Sequence, residues 1–220
     1  MRVLVISAHP DDETIGAGGT LLRHLERGDE VHWAICTQAH EPAWSKEVID
    51  AARMQVDRVG DAYGMTSVHR LGFPTVMLNT VPYMDLSSAL TKVVKLVQPE
   101  VVYTLPRGDI NQDHRLVHDA TLVACRPLPG TSVKTVLSYE IGPTTRYGQP
   151  SGAEPFRPCV FVDITSQLPR KLEIMALYID EIREFPHPRS LEGLELIAKE
   201  RGLSVGLKAA EAFELVREIR

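Results

Sequence analysis

His9, Pro10, Asp11, Asp12 and Glu13 place one imidazole and three carboxylates within five consecutive residues. Like charges crowded this closely repel unless a cation joins them. A neutral imidazole and a carboxylate three positions apart can reach one divalent ion from a single turn. A second cluster, GDINQDHRLVHDA, offers Asp113 and His114. If the two clusters meet, His9, Asp12 and His114 form a set of two histidines and one aspartate with positions left open for water, the pattern of a catalytic rather than a structural zinc site. Asp11 is then spare and can act as a base on water. Plainer readings stand beside these. Asp12 can simply cap a helix, and Asp113 can favour a helix dipole or steady a ligand from behind.

The elements that must position these clusters follow from hydrophobic pattern. Residues 2–7 (RVLVIS) form a short β-branched run of the kind buried on both faces of a parallel sheet. Residues 15–26 carry Leu21, Leu22 and Leu25 at helical spacing, with Gly28 placed to end the helix. Strands are expected at 30–37, 67–71, 100–105, 133–139 and 159–164, and helices at 43–60, 86–97 and 114–125. From Leu168 on, the pattern predicts helix, broken at FPHPRS by Pro186 and Pro188. Strands alternating with helices imply right-handed crossovers and an α/β, Rossmann-like domain: a mostly parallel central sheet with helices on both faces, spanning 1–220 as one unit. In such sheets ligands bind outside the carboxyl ends of the strands, where both clusters fall. The glycines of GAGG (Gly16, Gly18, Gly19) do not match a phosphate loop and suit close helix–sheet packing.

Composition narrows the partners. A net charge of −5, with no basic run, argues against nucleic acid, and a small neutral or sugar-like ligand fits better. Cys36, Cys125 and Cys159 are odd in number and widely spaced, so a disulfide framework is not expected. No apolar run has the length of a membrane span or the form of a signal peptide, and the expected location is the cytoplasm.

The motifs AHPDDE, NQDHR, SYE and GLKAAEAFELVR together resemble the LmbE/PIG-L family of zinc-dependent N-deacetylases. The resemblance implies zinc held by His9, Asp12 and His114, with Asp11 as general base; the same ligands also suit ferrous iron. It implies hydrolysis of the acetamide of an N-acetylglucosaminyl compound to acetate and a free amino sugar, and assembly as a trimer or hexamer. Tyr139 and Glu140 follow a later strand, and Glu211 in the last motif reads as structural.

One departure matters. Where the family often has H-x-D-H, this chain reads Asn111-Gln112-Asp113-His114. The missing histidine is the residue taken to stabilise the oxyanion, with Asp113 as its orienting partner. An Asn111 amide can still donate to a developing oxyanion, a contribution of roughly 10²–10³ in rate, but it cannot supply a proton. Asp11 is therefore expected to serve as both base and acid. Glu13, Thr37, His40 and Arg53 are the candidates for substrate contact; Arg53 resembles the family's R-x-x-E helix, although Gln55 and Val56 depart from its acidic position. The loops 142–158 and 185–190 are expected to shape the pocket. Two other functions fit the same residues: an amidase for a larger acyl-amino-sugar conjugate, and a non-catalytic sugar-binding domain.

Overall fold

The computed structural model describes residues 1–147 and 154–220; positions 148–153, within the long loop expected to shape the pocket, lie outside the described residues. The order of elements is β1 (Arg2–Ser7), α1 (Asp12–Glu26), β2 (Glu30–Gln38), α2 (Lys46–Tyr63), β3 (Ser67–Pro74), a short 3-10 turn (Leu78–Thr80), α3 (Tyr83–Val97), β4 (Val101–Thr104), α4 (Gln112–Ala124), β5 (Thr135–Tyr139), β6 (Val160–Asp163), α5 (Leu168–Met175), α6 (Leu191–Leu203) and β7 (Ala210–Glu218). The sheet has seven strands in the order β3-β2-β1-β4-β5-β7-β6. Strands β1 to β5 pair in parallel, and β7 runs antiparallel to both of its neighbours. Helices α1, α2, α5 and α6 pack among themselves, while α3 packs on α4, so the expected two-faced α/β architecture is present.

β1 lies between β2 and β4, and all its residues from Val3 to Ser7 are buried. That explains the uninterrupted apolar run, since both faces are covered. The order reverses at β1, with β2 on one side and β4 on the other, which is where an open sheet presents a crevice beyond its carboxyl ends. The two clusters leave the sheet there: His9–Glu13 from β1, and the 105–111 loop leading from β4 to α4.

Local chemistry sets the helix limits. Helix α1 begins at Asp12, three residues before its apolar spacing does, because two acidic residues in a first turn suit the positive end of the helix dipole. Helix α2 starts after Ser45, whose hydroxyl accepts the Val48 amide, and ends at Gly64 in the left-handed conformation, not at Gly60. The glycines of α1 are packing residues. A Cβ on Gly16 would lie 2.1 Å from the Tyr139 ring, and one on Gly19 would meet Ile164 at 2.8 Å. Tyr139 completes that fit by donating its hydroxyl to the Ile6 carbonyl at 2.7 Å.

The expectation of helix from Leu168 to the end is corrected at its close. Residues 210–218 (AEAFELVRE) form a strand inserted between β5 and β6. Their alanines and glutamates favour helix in isolation, but ladders on both sides outweigh that weak preference.

Candidate metal centre and active site

The turn leaving β1 is held by its own carboxylates. Asp12 Oδ2 accepts the amides of Ala8 (3.0 Å) and His9 (2.8 Å), which curls the chain so that residues 9 and 12 face one point. Asp11 takes a φ of 106°, unusual for a residue with a side chain, and conformations of this kind cost about 1–3 kcal/mol. Glu13 helps to hold it, since Glu13 Oε2 accepts the Asp11 amide at 3.2 Å. The other oxygen of Glu13 accepts the hydroxyls of Thr14 and Tyr178, each at 2.6 Å. Glu13 is completely buried, and burial pushes its pKa up to about 7. The first-turn position of Glu13, one of the candidates for substrate contact, aims it into the interior, where it braces the Asp11 turn.

His114 comes from the first turn of α4 and meets His9 above β1. Nδ1 of His9 lies 3.2 Å from Nε2 of His114, and Asp12 Oδ1 lies 3.5 Å from the same His114 nitrogen. Neighbouring carboxylates assign the protons. Nε2 of His9 is 3.1 Å from Asp113 Oδ2, and Nδ1 of His114 is 3.3 Å from Asp109 Oδ2. Each carboxylate takes the ring N–H, leaving two imidazole lone pairs pointed at each other. Asp12 Oδ1 is buried with no hydrogen-bond partner beside them. Three acceptors facing one another fit a cation. Two zinc–nitrogen bonds of about 2.0–2.1 Å at a near-tetrahedral angle would separate their nitrogens by about 3.3 Å, close to the observed 3.2 Å. Among the described residues, His9, Asp12 and His114 are the group whose ligand atoms all lie close enough, within 4.8 Å of one another, to share a metal ion.

The carboxylates around the cluster make it a place that favours positive charge. Burial works against a charged His114, but Asp12, Asp109 and Asp113 together hold its pKa above the usual histidine value. Burial works against a charged Asp113 too; there the His9 ring and the amides of Val76 (2.7 Å) and Leu78 (3.3 Å) win, and its pKa is lowered. Asp11 goes the other way. Burial first, and then the charge of Asp12, push its carboxyl well above the ordinary range, against the opposing pull of Arg189.

Two residues of this region were not picked out in the sequence. Asp109 accepts the Thr144 and Thr145 hydroxyls (2.9 and 2.7 Å) and the Asn111 amide (2.8 Å), so it is fixed behind His114. Its place in GDINQDH, five residues before His114, was the available signal. Arg189 Nη1 lies 3.4 Å from Asp11 Oδ2 and 2.6 Å from Glu181 Oε2. No spacing rule relates it to Asp11.

The remaining candidates are dispersed. Asn111 caps α4, its Oδ1 accepting the Asp113 amide at 2.9 Å. The Thr37 hydroxyl donates to the Ala8 carbonyl at 2.8 Å, tying β2 to the start of the metal turn. His40 packs edge-on against Trp44, with its Nδ1 buried and unpaired. Arg53 is exposed and pairs at 3.6 Å with Asp50, one turn away on the same helix. Thr37 and Arg53 do share the wall of a small apolar pocket with Pro10 and Ile35. Glu211 is structural, as expected: it accepts the amides of Gly19 (2.8 Å) and Thr20 (2.7 Å) and pairs with the buried Lys171 at 2.7 Å.

A doubly covered, mostly parallel sheet with a two-histidine, one-aspartate cluster at its carboxyl edge defines a class of α/β proteins equipped to hold a metal. The chain belongs to the PIG-L family, described as GlcNAc-PI de-N-acetylase, whose model matches residues 4–125. It is 30% identical over 153 residues to the 1D-myo-inositol 2-acetamido-2-deoxy-alpha-D-glucopyranoside deacetylase of Rhodococcus jostii, over 56% of this chain and 52% of that protein. The chain thus spans about half the length of that curated relative. It is also 30% identical over 149 residues to YaiS, an uncharacterized deacetylase of Escherichia coli, over 63% of this chain and 72% of that protein. Among solved structures, N,N'-diacetylchitobiose deacetylase from Pyrococcus horikoshii superposes with a TM-score of 0.78 at 22% identity, covering 98% of this chain and 84% of that one. GalB, the 4-carboxy-2-hydroxymuconate hydratase of Pseudomonas putida, gives 0.78 at 23% identity, covering 100% and 97%. The shared architecture therefore serves more than one chemistry, and the activity has to be argued from the site.

Proposed function

We propose that the protein is a zinc-dependent hydrolase that removes the N-acetyl group from an N-acetylglucosamine-type sugar or sugar conjugate and releases acetate. The observation that carries this reading is the convergence of His9, Asp12 and His114, each with a lone pair directed at one point, beside a buried Asp11 whose Oδ2 has no hydrogen-bond partner. Family membership and the deacetylases among the relatives support it.

Zinc bound by these three residues supplies a Lewis acid for the amide carbonyl and lowers the pKa of water. The protein's own groups do the rest. Asp113 and Asp109 fix the two rings so that the same nitrogens always face the ion. Asp11 takes the proton of the attacking water and returns it to the departing nitrogen, because an amine leaves readily only once protonated. The oxygen of Asn111 is committed to capping α4; its NH₂ is the group left to donate to the tetrahedral oxyanion.

Metal analysis combined with an acetate-release assay on N-acetylglucosaminides tests the reading. One zinc per chain, and acetate release abolished by a chelator, are expected. A chain with no bound metal and no acetate release overturns the proposal. Cleavage confined to bulky acyl groups redirects it to an amidase of larger conjugates. With Asp11 as the only proton donor, introducing an imidazole by Asn111→His is expected to move the alkaline limb of the pH–rate profile; identical profiles count against Asp11 working alone.

A further inference from the structure

Arg189 belongs to the segment between α5 and α6 and meets the metal turn from outside the sheet. The segment is tied down locally. The Arg189 amide donates to His187 Nδ1 at 3.0 Å, and Ser190 caps α6 by accepting the Gly193 amide at 2.9 Å. Gly193 leaves no slack, since a Cβ there would lie 2.9 Å from the His187 carbonyl and 3.0 Å from that of Pro188. Glu181 then takes Arg189 Nη1 at 2.6 Å, and the same nitrogen stands 3.4 Å from Asp11 Oδ2. The Arg189 side chain is only one-quarter exposed, so solvent screens this contact less than it does a surface pair.

A second arginine shows what is unusual. Arg201 grips Glu140 through two bonds of 2.7 and 2.8 Å, using both carboxylate oxygens. Such a fork fixes a carboxylate and consumes its lone pairs. Arg189, anchored instead on Glu181, stands off Asp11 and leaves Oδ2 without a hydrogen bond. We propose that Arg189 is a positioning residue for Asp11: held by Glu181, its guanidinium fixes the direction of the Asp11 carboxylate while leaving that carboxylate's lone pairs free for water. This rests on the role assigned to Asp11 under the proposed function.

The test uses the full-length, zinc-loaded protein with Arg189→Ala and Arg189→Lys. Misplacing a reacting group by about 1 Å costs on the order of 10²-fold, so kcat of the alanine variant is expected to fall about a hundredfold, with KM and zinc stoichiometry little changed. Added guanidinium ion should restore part of that loss, and the lysine variant, a point charge without the fork, should fall between the other two. A kcat close to wild type, or a loss that guanidinium leaves untouched, overturns the proposal. Crystal structures of wild type and Arg189→Ala decide it without turnover: a rotated Asp11 carboxylate supports it, and an unmoved one overturns it. If the wild type releases no acetate, the functional reading fails, and the crystal comparison still settles the role of Arg189.

Discussion

Two buried acidic clusters lie along the same helix and have opposite characters. Near the middle of α1, Glu211 receives two backbone amides and the Lys171 ammonium, which itself also donates to the Ile15 carbonyl at 2.8 Å. Both carboxylate oxygens of Glu211 and the Lys171 ammonium have partners, and the cluster joins β7 and α5 to α1. At the start of the same helix, Asp11 Oδ2 and Asp12 Oδ1 lie buried without a hydrogen bond. Folded proteins rarely leave such groups unsatisfied, because each costs about 1–3 kcal/mol. Completeness marks the first cluster as part of the frame. Deficiency marks the second as a place built to receive something.

That contrast can be broken experimentally, beginning where the effect is greatest. Asp12→Asn keeps an oxygen for the Ala8 and His9 amides and removes the charge aimed at the ion. Bound zinc should be lost, and acetate release should fall by about 10³-fold or more, since the Lewis acid accounts for several kcal/mol; full zinc occupancy in the variant would contradict the assignment. Asp11→Asn should retain its zinc and lose about 10²–10⁴ in kcat, the range for a general acid–base group. Elemental analysis alongside kinetics separates these two aspartates.

The structural cluster should answer differently. Glu211→Ala leaves Lys171 buried without its ion-pair partner and is expected to cost about 3–5 kcal/mol in urea unfolding. The double variant Glu211→Leu with Lys171→Met should recover only part of it, because the ion pair can be exchanged for apolar packing but the Gly19 and Thr20 amides still lose the acceptor that Glu211 gives them. No apolar replacement should restore the metal cluster.

Glu13 is the intermediate case, buried like Asp11 but hydrogen-bonded like Glu211. Burial raises its folded-state pKa from 4.5 to about 7, so folding favours the protonated form. That contribution to stability is complete below the unfolded pKa and fades as pH rises through about 7. Glu13→Gln lacks the titration. In metal-free protein, the stability of wild type relative to the variant should therefore drop by roughly 3 kcal/mol between pH 4 and pH 8. A difference that does not vary with pH would place Glu13 with Glu211, as a charge fully compensated by its donors.

How much of this was readable beforehand depended on the range of the physics involved. The alternation of strands and helices was legible because burial on both faces of β1, and apolar stripes such as Leu86, Leu90, Val93 and Val97 on α3, leave local patterns. The metal cluster was legible because His9 and Asp12 share one turn and the other half follows a strand of its own. The strand at 210–218 was not, because its register comes from β5 and β6, far away in the chain. The inward turn of Glu13 was not legible for the same reason: it depends on the hydroxyl of Tyr178, far away in the chain. Arg189 leaves no local trace at all, since its partners are a strained aspartate at the other end of the chain and a glutamate in an irregular segment.

Asp113 binds three donors with one carboxylate: the ring of His9 and the amides of Val76 and Leu78. Val76 itself occupies a φ of 53°, rare for a β-branched residue, so this peptide is fastened in place and not merely resting there. A lesion that re-orients it, such as Val76→Pro, would never touch the ion, yet would surface as poor metal retention. Inherited damage to that stretch would imitate damage to the centre.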